Sequence, residues 1–152
     1  MALINWGIIG CGEVAEVKSG PAFQRVENSN LVSVMRRGAE KAKSFAVRHH
    51  VPHWSTNARD ILNSNDINAV YVATPPSTHL KYALQAIQAG KHVYLEKPMA
   101  LNVTQAKQIC DAIEKSTSKL TIAHYRRKLP SFLKVKELLR DQKIGEVTHV
   151  DI

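Results

Sequence analysis

Three runs in this 152-residue chain hold residues whose types and spacing suit them to chemistry. The first, Gly10-Cys11-Gly12-Glu13-Val14-Ala15, has the pattern G-x-G-x-x-A. Gly10 lets the chain turn sharply off a strand, Gly12 leaves the backbone open to a pyrophosphate, and Ala15 is small enough for the next helix to pack close. A helix starting near Glu13 aims its free N–H groups and positive dipole end at that phosphate. Taken alone the pattern is weak, and a turn with no ligand is the plain alternative. The second run is Arg36-Arg37. Dinucleotide-binding domains that take NAD usually place an acidic residue here for the ribose 2′-hydroxyl. Guanidinium forks instead pair bidentately with a 2′-phosphate and can stack on adenine. That pairing favours NADP, with NAD the alternative, and argues against a class I methyltransferase, which wants an acid at this place. Two exposed arginines at a helix start are the bland reading. The third run is Glu96-Lys97-Pro98. Its amine suits proton transfer and its carboxylate suits ribose hydroxyls, and burial or neighbouring charge can bring a lysine pKa toward working pH. As a dipeptide it is unspecific.

The elements that must position these runs alternate. Strands are expected at Trp6 to Ile9, Leu31 to Met35, Ala69 to Ala73, His92 to Leu95 and Leu120 to Ala123, with Trp54 in a brief extended piece. Helices are expected after the glycine turn, where Gly20-Pro21 interrupts and Ala22 to Val26 adds one further turn. They follow again at Ala39 to His49 with Ala39, Ala42, Phe45 and Ala46 inward, at Asn57 to Asn63, and after Ser77, read as a cap. The Ser77 helix carries Leu80, Ala83, Leu84 and Ile87 at i, i+3, i+4, i+7 and stops at Gly90; the next, capped by Asn102, carries Ala106, Ile109, Cys110 and Ile113. A last helix, Pro130 to Asp141, is expected to turn Val135, Leu138 and Leu139 inward, and Val147 to Ile152 to open a new strand. Short connections and this alternation give an α/β fold, a Rossmann-type doubly wound parallel sheet, whose ligands sit at the C-terminal strand ends. The expected division is a dinucleotide-binding domain over 1–145 and the start of a second domain over 146–152.

Composition narrows the classes. With 44% hydrophobic residues the chain can bury one sizeable core. No apolar run approaches the roughly 20 residues of a membrane span, and no basic-then-apolar signal segment precedes the first strand. Two cysteines make no disulfide framework, so a cytoplasmic setting is expected. The net charge of +8 exceeds what dinucleotide phosphates would use, but the cations are scattered rather than striped. Arg126-Arg127-Lys128 lacks an aromatic platform, so no nucleic-acid partner is expected. His49, His50 and His53 sit at a helix end, where they serve carbonyls and the dipole better than a metal. Cys11 stands at a helix N-terminus, which can activate a thiol, but reads more simply as a small residue between glycines; Cys110 reads as core, Met35 and Trp54 as packing.

The ordered set Gly10-x-Gly12-x-x-Ala15, Thr74-Pro75-Pro76-x-x-His79, Gly90-Lys91-His92-Val93 and Glu96-Lys97-Pro98 resembles the nucleotide-binding half of the glucose–fructose oxidoreductase and inositol dehydrogenase family (Gfo/Idh/MocA). The resemblance covers residues 3 to 152. It implies a nicotinamide cofactor along Thr74, Pro75 and His79, with Glu96, Lys97, Tyr125 and Arg126 at the nicotinamide end; with the runs read above, the expected cofactor site is Gly10, Cys11, Gly12, Glu13, Val14, Arg36, Arg37, Thr74, Pro75, Pro76, His79, Glu96, Lys97, Tyr125 and Arg126. It implies Lys97 touching the reacting hydroxyl of a sugar- or polyol-type substrate, and it allows a cis bond at Lys97-Pro98. Arg36 departs from the acidic residue common in the family. Family members are about twice this length; their second domain completes the catalytic set and carries the usual oligomer interface, so a homo-oligomer is expected of a full-length protein. The alternative from another class is a module that binds or senses a dinucleotide without turnover.

Overall fold

The computed structural model describes residues 3–151. Six strands form one parallel sheet in the order β3-β2-β1-β4-β5-β6: β1 (Ile4–Ile9), β2 (Ser29–Met35), β3 (His53–Ser55), β4 (Ala69–Val72), β5 (His92–Leu95) and β6 (Leu120–Ile122). The chain winds outward from β1 to β3, returns to the far side of β1 as β4, and winds outward again to β6. With right-handed crossovers, the two halves place their helices on opposite faces and leave a crevice where the order reverses.

The core is accordingly two-sided. On one face Ile9, Val70, Val72, Val93 and Leu95 pack against α3 (Ala58–Leu62), α4 (His79–Gln88) and α5 (Val103–Glu114) through Ile61, Leu62, Ala83, Ala86, Ile87 and Ile109. On the other, Ile8, Leu31, Val34 and Tyr71 meet Cys11, Ala15, and Phe45 and Ala46 of α2 (Ala39–Arg48), with Trp6, Phe23 and Tyr94 at the margin. Period-2 alternation explains the split: Val70 and Val72 face one way, Tyr71 the other. Asn102 caps α5 as expected, its side chain accepting from the Gln105 amide at 2.9 Å.

Several local expectations are corrected. Gly20-Pro21 does not interrupt the first helix. A π-helical turn, Ala15–Ser19, passes directly into α1 (Gly20–Arg25), and the Gly20 amide donates back to the Ala15 carbonyl. The wide turn hands Pro21 to the first turn of a new helix, where its missing N–H is harmless. Ser77 is not a cap. Pro75 and Pro76 set a 3₁₀ turn, Pro76–Thr78, that delays α4, and Thr78 becomes its N-cap, its hydroxyl donating its one proton to the Pro75 carbonyl (2.9 Å) and lying 2.8 Å from Thr74 Oγ1. Ala39 and Cys110 are exposed rather than core. In α6 (Pro130–Arg140), Val135 and Leu139 are exposed, together with Phe132 and Leu133. An amphipathic pattern states which face wants a partner, and residues 3–151 cover that face only in part, Leu138 being half-buried. Val147 to Asp151 pair with no strand among the described residues, and Ile152 lies outside them.

Gly20 offers a test of the π turn. In an ordinary exposed helix, Gly→Ala stabilises by roughly 0.5–1 kcal/mol. A Cβ on Gly20 would lie 2.7 Å from the Ala15 carbonyl oxygen and 3.1 Å from Phe45 Cζ. The sign therefore reverses: Gly20→Ala is expected to lower stability by about 1–3 kcal/mol, measured by urea unfolding followed by circular dichroism.

Candidate functional site

At the end of β1 the chain turns through Gly10 at φ 96°, a conformation that favours glycine. A Cβ there would meet Thr74 Cγ2 at 2.8 Å and the Ala73–Thr74 backbone at 2.9 Å, so the turn is wedged against the end of β4. The amides of Gly10 and Cys11 both donate to the Met35 carbonyl, at 2.9 and 3.0 Å, and Gly12 donates to the Gly10 carbonyl at 2.7 Å. Glu16 is the first amide to find an acceptor one helical turn back, Gly12 O at 2.9 Å. Among the described residues the amides of Glu13, Val14 and Ala15 have no backbone acceptor. Gly12 is different from Gly10: a Cβ there would meet nothing closer than 3.9 Å, so open space lies beside its backbone. Unpaired amides at a helix start, beside an approachable backbone, are the donor set a pyrophosphate requires.

Two grooves meet at this turn and share Ala73 and Thr74. One, of about 770 Å³, runs between Gly10, Gly12, Arg36, Arg37, Gly38, Lys41, Pro75 and Tyr82. Arg36 leans over the turn, its Nη1 3.4 Å from the Cys11 carbonyl oxygen. Three cations against Glu40 give this groove a positive balance, and its donor set fits a dinucleotide carrying a phosphate on the ribose. The other groove, of about 1180 Å³, is lined by Val14, Lys18, Phe23, Tyr94, Glu96, Lys97, His124, Tyr125, Arg126 and Arg127. Its phenol at Tyr125 is held below the usual range by the Arg126 hydrogen bond first, and by Lys18, whose Nζ lies 5.5 Å from the ring.

Gly10, Gly12, Val14, Arg36, Arg37, Thr74, Pro75, Glu96, Lys97, Tyr125 and Arg126 therefore converge on one continuous crevice. Cys11 is fully buried and offers only its backbone; Glu13 is exposed at the helix start. Pro76 lines neither groove, and nor does His79, which is fully buried with Nε2 2.8 Å from Thr74 O and Nδ1 2.8 Å from Pro98 O. Its ring bridges the ends of β4 and β5 from beneath. The Lys97–Pro98 bond is cis. Lys97 is exposed, so the burial expected around its amine is not supplied by residues 3–151. His49 does not cap carbonyls with its ring; Nε2 lies 2.8 Å from Glu16 Oε1, and Arg48 Nη2 lies 2.8 Å from Glu16 Oε2. Arg48 first, then His49, hold the Glu16 carboxyl below its ordinary range.

Sequence reasoning missed Lys41, Tyr82, Lys18 and the Phe23–Tyr94 wall, because helix pitch and sheet register, not motif, bring them to the crevice. It also missed Tyr71. This side chain is fully buried, donates to Glu96 Oε1 at 2.6 Å and accepts from Ser19 Oγ at 3.0 Å. A signal existed: Tyr71 pairs with Tyr94, and Glu96 follows Tyr94 by two residues on the same face.

The two thiols should separate cleanly. Burial pushes Cys11 up to about 11, against the smaller opposing pull of Arg36, whereas Cys110 is exposed. Thiolate is the reactive form, so at pH 8 iodoacetamide is expected to modify Cys110 alone in the folded chain and both residues in urea, read by peptide mass spectrometry.

The chain is 59% identical over 149 residues to "Oxidoreductase P35" of Formosa agariphila, covering 98% of this chain and 46% of that protein. It is 29% identical to a 1,5-anhydro-D-fructose reductase of Ensifer adhaerens, covering 93% of this chain and 42% of that one. A 3-ketoreductase from Actinomadura kijaniata, solved in complex with NADP and TDP-benzene, superposes with a TM-score of 0.88 at 27% identity, over 95% of this chain and 44% of that one. Scyllo-inositol dehydrogenase from Lactobacillus casei shares the fold at a TM-score of 0.89 and 24% identity, over 96% of this chain and 43% of that one. The chain thus spans about half the length of the curated relatives it matches. Residues 4–124 match the model of the oxidoreductase family with an NAD-binding Rossmann fold, and the chain belongs to that family, Gfo/Idh/MocA.

Proposed function

We propose that this chain is the NADP(H)-binding half of an oxidoreductase that moves a hydride between the nicotinamide and a sugar- or polyol-type hydroxyl or carbonyl. The observation that carries the cofactor choice is the Arg36–Arg37 pair with Lys41 beside the glycine turn, at the second strand end, where an acidic residue would repel a 2′-phosphate. When bound, the cofactor supplies the two-electron hydride chemistry. The chain's own residues do the rest: the amides of Glu13 to Ala15 face the pyrophosphate, the arginines take the ribose phosphate, and Glu96 accepts from hydroxyls at the nicotinamide end. Lys97, exposed in the same groove, exchanges a proton with the reacting hydroxyl. The sugar class is supported by the relatives, a 1,5-anhydro-D-fructose reductase and a 3-ketoreductase solved with a TDP compound.

The matched relatives are about twice as long, which supports the division at 1–145 and 146–152, with a second domain providing the remaining acid–base group, the facing wall and the contact for homo-oligomers. Free thiols fit a cytoplasmic protein, and no helix among the described residues is long and apolar enough to cross a membrane. The other reading, a dinucleotide sensor without turnover, shares the same cofactor crevice and differs in what meets Lys97.

Calorimetric titration tests the cofactor. NADPH is expected to bind more tightly than NADH by about tenfold to a hundredfold, one charge-assisted contact being worth roughly 1.5–3 kcal/mol, and Arg36→Ala with Arg37→Ala should abolish the preference. Equal affinities in the wild type would make the arginines surface residues. In a protein carrying both halves, Lys97→Ala is expected to reduce turnover by about 10²–10⁴-fold with NADPH affinity essentially kept, measured by absorbance of the reduced cofactor. Near-normal turnover would remove Lys97 from the chemistry and favour the sensor.

A further inference from the structure

The Glu96 carboxylate stands in a groove whose other charged lining groups are Lys18, Lys97, Arg126 and Arg127. Among the described residues it forms an ion pair with none of them. Its two oxygens are held from below. Oε1 accepts from the Tyr71 hydroxyl at 2.6 Å, and Oε2 accepts from the Lys97 amide at 3.1 Å. An ionised carboxylate offers about four acceptor positions, so half remain available.

The Tyr71 hydroxyl is itself fixed at both ends. Its ring is fully buried in β4, with Phe23 at 5.5 Å edge-on and Tyr94 at 5.3 Å. Ser19, on the last residue of the π turn, donates to the Tyr71 oxygen at 3.0 Å. That leaves the phenol's one proton for Glu96. Burial, then the Glu96 hydrogen bond, raise the Tyr71 pKa far above its usual range, so it stays a donor at any working pH. The sheet register builds this arrangement: Tyr71 pairs with Tyr94, and Glu96, two residues further along β5, comes back to the same face.

We propose that Tyr71 is a positioning residue of the site: its hydroxyl, oriented by Ser19, turns Glu96 so that the carboxylate's free acceptor positions face the ribose hydroxyls of the nicotinamide nucleoside. The inference rests on the dinucleotide reading above and adds to it a residue outside the crevice lining. It also ties the nicotinamide end of the crevice to the helix that follows the glycine turn, because Ser19 and the phosphate-facing amides belong to one continuous helical segment.

The test compares a whole cofactor with its adenosine half. The chain, its Tyr71→Phe variant and its Ser19→Ala variant are titrated by calorimetry with NADPH and with 2′,5′-ADP, which lacks the nicotinamide nucleoside. Tyr71→Phe keeps the ring and its packing. The expected result is a loss of about twofold to tenfold in NADPH affinity, the range of one hydrogen bond, with 2′,5′-ADP affinity unchanged and a smaller loss of the same kind for Ser19→Ala. Tyr71→Phe should add nothing further on a Glu96→Gln background, since the effect passes through that carboxylate. Should NADH prove to bind as tightly as NADPH, the arginine reading fails alone, and the same ratio is read with NADH against ADP. Equal losses for whole and half cofactor would mark Tyr71 as merely structural. An unchanged NADPH affinity would remove it from the site, and failure of the wild-type chain to bind any of these probes would overturn this inference together with the reading beneath it.

Discussion

The Met35 carbonyl oxygen is the point on which the crevice depends. It receives the Gly10 and Cys11 amides together, 2.9 and 3.0 Å away, and so locks the glycine turn to the end of β2. Met35 itself is buried in the core, so the acceptor cannot drift. Arg36 follows it directly, and its own amide donates to Ser55 at the end of β3. The turn, the arginines and three strand ends are thereby one rigid object. Gly10 closes the fourth side, since its missing Cβ is the space that Ala73 and Thr74 occupy. A site assembled from loops is only as well defined as the scaffold under it, and here that scaffold is a pair of hydrogen bonds to one carbonyl.

What the sequence made legible was whatever is fixed locally or by burial alone. Ala69 to Val72 is apolar without interruption because both faces of β4 are covered, and all four residues are buried. Asn102 caps where its type and spacing say it should. The glycine pattern led to a strand–turn–helix with Gly10 at positive φ. What escaped was set by partners distant in sequence. Gly20-Pro21 reads as a break, yet a π turn absorbs it because Gly20 can lie against the Ala15 carbonyl. Cys110 has the spacing of a core residue but falls outside the stripe that α5 buries, of which Ile109 is the fully buried member. Val135 and Leu139 have helical spacing too, yet both stay exposed among the described residues.

Two further residues show how a motif mixes site and scaffold. Lys91, in Gly90-Lys91-His92-Val93, is a buried ammonium whose Nζ donates to the carbonyls of Ser64 (2.6 Å) and Ile67 (2.7 Å). It satisfies the loop between α3 and β4 and touches neither groove. His79 lies between two chain segments in the same way, with a ring nitrogen 2.8 Å from the carbonyl oxygens of Thr74 and of Pro98. Buried polar groups persist only when hydrogen-bonded, and each of these links chain segments through polar contacts to backbone carbonyls. Recurrence in a family pattern therefore says that a residue is constrained, and only its surroundings say by what.

The same distinction explains why adjacent residues at the end of β5 can do different work. Glu96 and Lys97 are neighbours of opposite charge, and in water such a pair would drift together and partly cancel. Here Oε1 accepts from the Tyr71 hydroxyl and Oε2 from the Lys97 amide, and among the described residues the two side chains form no ion pair. The strand end then sends the carboxylate toward the aromatic wall of Tyr71 and Tyr94 and leaves the lysine in the open groove. Under the proposed chemistry this separation matters more than either group alone. An ammonium with no carboxylate partner is free to approach a substrate hydroxyl, and a carboxylate with about two acceptor positions left can take hydroxyls of a ribose. A buried phenol, invisible to any motif, holds one of that carboxylate's oxygens.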